Sequence, residues 1–404
     1  MKQDVVVTGV GVIAPNGIGA QAYWDATLDG VSAIGPIQRF DAPHYPVRLA
    51  AEIPVFEAES ALQKKLLPQT DRLTRLALIC SDLAMADAKV DPAALADFEA
   101  GVAVSSSTGG LEFGQRQMQL QWGTGWESVS PYMSFAWYYA VHTGQISIRN
   151  GMRGPSGVVV SEQAGGLDTL AFARRLIRKG TSIMCTGGFD SMLCPYGVAT
   201  AATAAGMSRS HDPERAYLPF RAESTGFVPG EGGAILVIES RTSAAERGVP
   251  VVYGVLAGHG SAFDPDPAGA GDGLVRAARA ALADAGMSPR DIDVVFADAG
   301  GSGPLDRAEA DAIERLFGER AVPVSAPKAL VGRLMSGGAV LDVVAALLSL
   351  RDGVIPAVAG AEEDTVDPRV DLVVGEPRRQ RLDSALVLAR GHGGFASAMV
   401  LTKP

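Results

Sequence analysis

The chain has 404 residues, 47% of them hydrophobic, and chains longer than ~250–300 residues usually divide their core into more than one unit. Its formal net charge of -10 argues against nucleic acid and anionic membranes as partners, because both repel an acidic protein. The three cysteines, Cys80, Cys185 and Cys194, are too few and too scattered for a disulfide framework or a zinc site, so we expect a cytoplasmic protein.

The N-terminal stretch, "MKQDVVVTGVGVIAP", is apolar from Val5 but lacks a basic leader region and carries Asp4. It therefore predicts a buried first strand and not a signal peptide. The longest apolar helical run, "GGAVLDVVAALLSL", contains Asp342 and falls short of the ~20 residues that span a bilayer. We therefore expect no membrane-spanning segment.

Short β-branched runs alternate with Ala-rich helical segments along the chain. The predicted strands, in chain order, are Val5–Val7, Val102–Val104, Val158–Val160, Ile235–Ile238, Val294–Phe296, Val373–Val374 and Ala398–Leu401. The predicted helices are Asp71–Ala88, Gly166–Arg178, Leu274–Ala285 and Ala339–Leu350. This alternation predicts an α/β fold. The strands are apolar throughout, as expected where helices cover both faces of a sheet.

The two ends of the chain share a pattern that indicates internal duplication. "DVVVTGVGVIAP" opens the chain, and the similar "PVVYGVLAGHGSAFD" begins near residue 250. Each is followed later by a Gly-Gly pair and a long apolar helix, in "AGGLDTLAFARRL" and "SGGAVLDVVAALLSL". We therefore predict two topologically alike halves, residues 1–240 and 241–404.

The segment "STGGLEFGQRQMQLQW" (Ser107–Trp122) has a helical pattern that places Leu111, Gly114 and Met118 on one face. A glycine inside a helix costs ~1 kcal/mol relative to alanine, so Gly114 suits a position that needs room. Ordinary core packing is the alternative interpretation of this stripe.

The run Val158–Val160 leads into a helix with Gln163 at its buried start, where an enzyme of this layout would place a reactive thiol. A glutamine side chain can donate and accept hydrogen bonds, but it neither ionises nor acts as a nucleophile. The helix ends in the basic stretch "ARRLIRK", which complements the negative end of the helix dipole. Docking of an acidic partner is the alternative interpretation of that stretch.

Four motifs resemble the β-ketoacyl synthases, the condensing enzymes of fatty acid and polyketide assembly. They are "VVVTGVGVIAPNGIG" near the start, "LPFRAESTGFVPGEGGAILVIE" (Leu218–Glu239), "SAPKALVG" (Ser325–Gly332) and "GHGGFASAMVL" (Gly391–Leu401). The resemblance covers essentially the whole chain in order. It implies the thiolase fold, in which two pseudo-duplicated halves form a five-layered αβαβα arrangement, and a protein that is normally dimeric.

The family's chemistry uses one Cys and two His, and all three positions differ here. Gln163 stands at the position of the Cys, which accepts the acyl chain at a helix N-terminus where free N–H groups favour the thiolate. Ala299 and Arg333 stand at the positions of the two His, which polarise the malonyl thioester and stabilise the attacking carbanion. His392 replaces the phenylalanine that gates the thiol.

Two residues of the family pattern, Lys328 and Glu231, are retained, and without the His they are most simply a structural pair. A buried guanidinium at Arg333 needs a partner. The candidates for that partner are Asp298, Asp306 and Asp342. The histidines lack metal-ligand spacing and the Gly-rich stretches lack the Lys-Ser/Thr of a phosphate loop, so we expect neither a metal nor a nucleotide.

The loss of all three groups, together with "EQAGG" and "SFAWYYAVHTGQISIRNGMRGPSG" (Ser134–Gly157), is similar to the chain length factors, the non-condensing β-subunits of bacterial type II polyketide synthases. This resemblance implies a heterodimer with a Cys-bearing ketosynthase α-subunit. It implies an acyl carrier protein that presents substrates on phosphopantetheine, and no cofactor of the chain's own. The residues that it places at the end of the tunnel for the growing polyketide are Leu111, Gly114, Met118, Tyr196 and Gly197. Leu, Gly and Met together leave room and favour a long product.

Two other functions stay open at this point. One is a malonyl-acyl-carrier-protein decarboxylase in which the carboxamide of Gln163 imitates an acyl thioester and supports formation of the acetyl starter; a purely structural Gln163 is the competing interpretation. The other is a free-standing condensing or thiolytic enzyme, which would need a nucleophile, and Cys185 and Cys194 lie outside the nucleophile motif. Whether the chain is itself an enzyme stays undecided, with activity expected only within the ketosynthase complex.

Overall fold

The computed structural model describes residues 3–54, 62–203, 206–269, 271–360 and 366–404. The strands are β1 (Val5–Ala14), β2 (Gly17–Ile18), β3 (Ile34–Pro36), β4 (Leu49–Ala51), β5 (Ala100–Ser105), β6 (Ser156–Gly157), β7 (Ile183–Ser191), β8 (Glu231–Ser240), β9 (Gly254–Phe263), β10 (Val294–Phe296), β11 (Pro323–Ser325), β12 (Val354–Ile355), β13 (Asp371–Leu372), β14 (Arg378–Arg379), β15 (Ser384–Gly391) and β16 (Phe395–Thr402).

The α-helices are α1 (Ala20–Leu28), α2 (Arg72–Asp87), α3 (Leu111–Thr124), α4 (Val141–Asn150), α5 (Gln163–Arg178), α6 (Pro195–Thr203), α7 (Arg241–Arg247), α8 (Asp272–Ala285), α9 (Gly303–Phe317), α10 (Lys328–Val331) and α11 (Ser336–Asp352). Short 3₁₀ turns lie at Lys64–Gln69, Pro92–Ala94, Trp126–Ser128, Pro131–Ser134, Pro213–Arg215 and Pro289–Asp291.

The main sheet has the strand order β13-β11-β10-β15-β16-β9-β1-β8-β7-β5-β6, with β2 paired to β1. Its two halves meet where β1 and β9 pair, at Val6 with Val255 and Val7 with Gly254. In each half the outer strands are parallel and the strands next to this junction are antiparallel. The halves therefore repeat one topology, as the duplicated sequence pattern predicted.

Helices form three layers around the two halves of the sheet. The central helices α5 and α11 pack on each other and on strands of both halves. Helices α2 and α4 cover the outer face of the first half, and α8, with α9 packed against it, covers the outer face of the second. Helix α11 is buried on every side from Ser336 to Leu350, which explains why its sequence is apolar all round. The resulting αβαβα order is the thiolase arrangement that the resemblance implied.

Most predicted elements are confirmed, although their boundaries differ, but two predicted strands are wrong. Val158–Val160 is not a strand, because β6 ends at Gly157 on the edge of the sheet, and Ser105 Oγ instead donates to the Val159 carbonyl at 2.6 Å. Val373–Val374 is also misplaced, since the paired strand β13 ends at Leu372 and Val374 makes only an isolated bridge.

Among the residues that the structure describes, no helix is long and apolar enough to cross a membrane.

Candidate functional site at the start of the central helices

The two central helices begin with the same unusual backbone. Glu162, just before α5, has φ 51° and ψ -130°, and Met335, just before α11, has φ 50° and ψ -129°. Residues with a Cβ rarely adopt a positive φ, and such strain is often found where a side chain must be presented. The turn places Gln163 and Ser336 at the first position of their helices.

The side chain of Gln163 is fully buried in this position. Its Nε2 donates to Asp298 Oδ1 at 3.4 Å, while its Oε1 has no hydrogen-bond partner among the described residues. A Cβ added to Gly338 would come within 3.2 Å of Oε1, so the amide lies against the bare backbone of α11. The predicted helix-start location is confirmed, and the group placed there has no nucleophilic atom.

Asp298 is the centre of a buried ionic cluster beside Gln163. Its Oδ1 accepts from the Arg390 backbone N–H at 2.8 Å and from Arg333 Nη2 at 3.3 Å, and its Oδ2 accepts from Arg390 Nε at 3.1 Å. Burial alone would raise the pKa of Asp298, but Arg333, Arg390 and Lys328 lower it to about 2. The carboxylate is therefore ionised at every physiological pH.

Arg333 is the cation of this cluster at the position of one family His. Its Nη2 donates to the Arg390 carbonyl at 2.6 Å, its Nε lies 3.6 Å from Glu162 Oε1, and its guanidinium stacks 5.7 Å from the Phe227 ring centre. Burial lowers the pKa of Arg333, but Asp298 and Glu162 raise it further, so the group stays charged. It cannot exchange a proton as a histidine would.

Of the three carboxylates predicted as partners of Arg333, only Asp298 is one. Asp342 instead pairs with Lys328 at 2.7 Å, and Asp306 accepts the backbone N–H groups of Phe220 and Gly301. Burial raises the pKa of Asp306 to about 7 and that of Asp342 to about 6. Sequence spacing could not identify which of the three carboxylates pairs with Arg333. The orientations of α9 and α11 in the fold direct Asp306 and Asp342 toward other groups.

The predicted pairing of Lys328 with Glu231 is wrong. Lys328 Nζ donates to the Ala297 and Asp298 carbonyls at 2.6 and 3.0 Å and pairs with Asp342. Glu231, the first residue of β8, pairs instead with Arg72 of α2 at 2.6 Å. Lys328 therefore holds the loop that carries Asp298, and Glu231 links the start of β8 to α2.

Ala299, at the position of the other family His, contributes only backbone contacts. Its φ is 48°, its N–H donates to Glu309 Oε2 at 2.8 Å and its carbonyl accepts from the Tyr217 hydroxyl at 2.8 Å. A methyl group cannot polarise a thioester carbonyl. At this position the loop offers backbone groups but no side-chain hydrogen-bond donor.

The turn that carries His392 lies over the start of α5. The His392 side chain is exposed, and its backbone N–H donates to Glu162 Oε2 at 3.0 Å. Since Glu162 also contacts Arg333, the turn is held to the same ionic cluster as Gln163.

Within the described residues no group of His, Cys, Asp and Glu could hold a metal ion.

One polar cluster was not predicted from the sequence. His259 Nε2 lies 3.1 Å from both Asp168 Oδ1 and Ser397 Oγ, and Ser161 Oγ donates to Asp168 Oδ2 at 2.8 Å. One ring nitrogen faces both partners, so the histidine cannot relay a proton between them, which needs both nitrogens. The available sequence signal was a polar residue inside an apolar strand, which marks a buried hydrogen-bonding partner.

The basic end of α5 is partly internal. Arg174 is buried and pairs with Asp284 at 2.5 Å, while Arg178 Nε donates to the Gln3 carbonyl at 3.2 Å. Arg174 is therefore not available to a docking partner.

Helix α3, which we call the tunnel helix, carries three of the five predicted tunnel residues. Gly114 is buried, and Leu111 and Met118 are half-buried on the same helix. A Cβ on Gly197 would meet Leu111 Cδ2 at 2.9 Å, and the Tyr196 backbone N–H donates to Gln115 Oε1 at 2.7 Å. Helix α6 thus brings Tyr196 and Gly197 to the tunnel helix, and Leu111 is the third predicted residue at this contact.

Exposed aromatic side chains surround the tunnel helix, a feature not predicted from the sequence. Trp122 is 78% exposed, Trp126 76% and Trp137 47%. The Tyr138 ring contacts the rings of both Trp137 and Tyr139, and a Cβ on Gly114 would lie 3.4 Å from Trp137 Cβ. We call Trp122, Trp126, Phe135, Trp137, Tyr138 and Tyr139 the aromatic surface. Exposed apolar groups clustered in this way mark interaction sites.

A thiolase-type scaffold built from two topologically alike halves is the architecture of the β-ketoacyl synthases. Residues 2–244 match the family described as Beta-ketoacyl synthase, N-terminal domain, and residues 251–362 match Beta-ketoacyl synthase, C-terminal domain. The chain belongs to the β-ketoacyl synthase family.

Several of the similar proteins are polyketide synthase components. The chain is 53% identical over 401 residues to the tetracenomycin polyketide synthase ketoacyl synthase beta subunit of Streptomyces glaucescens, covering 99% of this chain and 98% of the relative. The chain is also 53% identical over 401 residues to the actinorhodin polyketide putative beta-ketoacyl synthase 2 of Streptomyces coelicolor, with the same coverage of both chains. The fold matches the ishigamide ketosynthase/chain length factor with a TM-score of 0.90 over 100% of both chains, at 26% identity. The resemblance to polyketide ketosynthase β-subunits is confirmed.

Proposed function

We propose that this chain is the non-condensing subunit of a type II polyketide ketosynthase heterodimer, and that its side chains set the length of the polyketide. The α-subunit would carry the growing chain as a thioester, and an acyl carrier protein would deliver the extender units on phosphopantetheine. The relatives described as a beta subunit and as a ketosynthase/chain length factor support this assignment. We place the complex in the cytoplasm.

The observation that carries the proposal is the contact between the tunnel helix and the aromatic surface. Gly114 is buried directly beside Trp137, whose side chain is half exposed. A subunit that covers the aromatic surface would therefore also enclose the face of the helix that carries Gly114. Leu111, Gly114, Met118, Tyr196 and Gly197 would then line the end of a tunnel shared by the two subunits.

The catalytic positions support a structural role for this chain in the pair. Gln163, Ala299 and Arg333 offer no nucleophile and no proton donor of suitable pKa. The buried ion pair of Arg333 with Asp298 fills the space beside Gln163. We also propose that residues 1–240 and 241–404 form the two halves, because β8 ends at Ser240 and β9 begins at Gly254.

The experiment is coexpression of the chain with a cognate α-subunit and carrier protein, followed by mass spectrometry of the polyketide. Gly114→Phe is expected to shorten the product, since the ring has to occupy the space beside Trp137. Gly123→Phe is the matched control, because it adds the same side chain to the same helix where nothing lies within 4 Å. An unchanged product length from an intact Gly114→Phe complex would remove the tunnel assignment.

A second candidate, decarboxylation of malonyl-carrier protein, would use the buried amide of Gln163, whose Oε1 has no hydrogen-bond partner among the described residues. In that reaction the carboxylate leaves as carbon dioxide, and the remaining carbanion takes a proton to give the acetyl group. Oε1 is an acceptor and cannot stabilise the developing negative charge, and Nε2 already faces Asp298. Release of carbon dioxide that requires Gln163 would establish this activity.

A further inference from the structure

The tunnel helix begins without a side-chain cap of its own. Its N-cap residue is Gly110, which has no side chain to accept the free backbone N–H groups. Asp71, just before helix α2, supplies the missing acceptor, because its Oδ2 accepts from the Phe113 N–H at 2.8 Å. Its Oδ1 accepts from the Leu73 N–H at 2.8 Å and caps α2. One buried carboxylate therefore caps two helices.

The approach of Asp71 to the tunnel helix is also fixed by contact. A Cβ on Gly110 would lie 3.0 Å from Asp71 Cβ and 2.0 Å from the Ala136 carbonyl, so only glycine fits there. The Gly110 N–H donates to the Trp137 carbonyl at 3.1 Å. The start of the tunnel helix is thus held between Asp71 and the chain segment that carries the aromatic surface.

Charged side chains reinforce the same end of the helix. Arg39 pairs with Glu112 at 2.6 Å and donates to the Leu193 carbonyl at 3.1 Å. Asp190 accepts hydrogen bonds from the Ser107 and Thr108 backbone N–H groups, which holds these two residues in the preceding loop. The helix therefore starts at Leu111 and not at Ser107.

The other end of the tunnel helix has few restraints. Residues 119–124 are exposed, and Trp122 projects into solvent. Leu111 and Gly114 lie within the first turn, next to the Phe113 N–H that Asp71 binds. The capped end of the helix therefore controls how far Leu111 and Gly114 project toward the proposed tunnel.

We propose that Asp71 is a positioning residue that fixes the tunnel helix and so determines the length of the polyketide. The inference rests on the proposed function. Asp71 contacts no reacting group in this proposal and acts only through the helix that it caps. Burial raises the pKa of Asp71 to about 6, so the carboxylate is held in place at an energetic cost, which the two N–H donors partly offset.

The test compares products of the assembled complex that contains Asp71→Ala or Asp71→Asn. With Asp71→Ala, the fraction of products of non-native length is expected to rise about fivefold, the factor by which loss of a typical helix cap shifts an equilibrium. Asp71→Asn keeps the volume but one acceptor oxygen, and an intermediate rise is expected. Asp91→Ala is the matched control, because Asp91 also caps a turn, through the Ala93 N–H at 3.0 Å, but on an exposed 3₁₀ segment.

A purely structural role for Asp71 would lower the thermal stability and yield without changing the distribution of product lengths. That result, from either Asp71 variant in an intact complex, overturns the inference. If Asp71→Ala does not assemble, Asp71→Asn decides. Gly114→Phe distinguishes failure of the positioning inference from failure of the proposed function. If Gly114→Phe shortens the product while the Asp71 variants do not, the positioning inference fails and the proposed function stands. If Gly114→Phe also has no effect, the proposed function fails first.

Discussion

Asp298→Asn is expected to destabilise the chain strongly, because it removes the anion of a fully buried cluster. The carboxylate accepts four hydrogen bonds, from Arg390 N and Nε, Arg333 Nη2 and Gln163 Nε2. The pKa of Asp298 is lowered from an ordinary 3.8 to about 2, a preference for the charged form on the order of 2 kcal/mol. An asparagine keeps one acceptor and turns an amide donor toward the guanidinium groups.

Breaking a buried ion pair typically costs ~3–5 kcal/mol, and we expect a loss in this range for Asp298→Asn in the free energy of unfolding. The measurement is denaturant unfolding at pH 7. Asp311→Asn is the control, because Asp311 pairs with Arg315 at 3.4 Å on the surface, where such pairs contribute ~0–1 kcal/mol.

The double variant Asp298→Asn/Arg333→Met is expected to lose less than Asp298→Asn alone, since it also removes one of the two guanidinium groups that Asp298 neutralises. Because the folded pKa of Asp298 is lowered, its contribution is complete above about pH 4 and is lost as the pH falls toward 2. A loss below ~1 kcal/mol for the single variant, or no recovery in the double variant, would refute the assignment of this cluster as a structural ion pair.

Three further outcomes are expected. His142 is fully buried and its ring nitrogens have no hydrogen-bond partner in the described part of the chain, and burial lowers its pKa to about 4 from 6.5. The wild type should therefore lose ~3 kcal/mol relative to His142→Phe as the pH falls from above 6.5 to below 4, and parallel stability curves would show that His142 does not carry this acid sensitivity. Trp137→Ala should weaken binding to the α-subunit at least tenfold in a titration, as interface tryptophans commonly do, while Phe98→Ser, also exposed but away from the aromatic surface, should not. Gln163→Ala should leave carbon dioxide release by the complex unchanged, and a drop would support the decarboxylase.

The elements predicted best from the sequence are those whose burial is evident from an apolar run of residues. The core of β8 and the whole of β10 follow from apolar runs, and α11 from an apolar helix of the right length. Val158–Val160 has an equally strong strand pattern but follows β6 at the sheet edge, where no strand of the described residues pairs with it. Propensity predicts an extended backbone there but not a hydrogen-bonded partner.

Within the candidate site, the positions of Gln163, Ala299 and Arg333 were predictable from motifs, but their contacts were not. Which carboxylate meets Arg333 depends on how α9 and α11 are rotated, and this rotation is set by packing over the whole core. The cap from Asp71 to the tunnel helix links residues about forty positions apart, beyond the range of any local capping pattern.

The matching turns at Glu162 and Met335 bear on how strained backbone is interpreted in other proteins. Such a conformation costs ~1–3 kcal/mol, and its presence is often taken as a sign of chemistry. Here it occurs twice, once before an inert amide and once before Ser336, whose hydroxyl donates to the Glu162 carbonyl. Distorted geometry at a helix entrance can thus persist as architecture, and two such turns in direct contact do not by themselves identify a catalytic site.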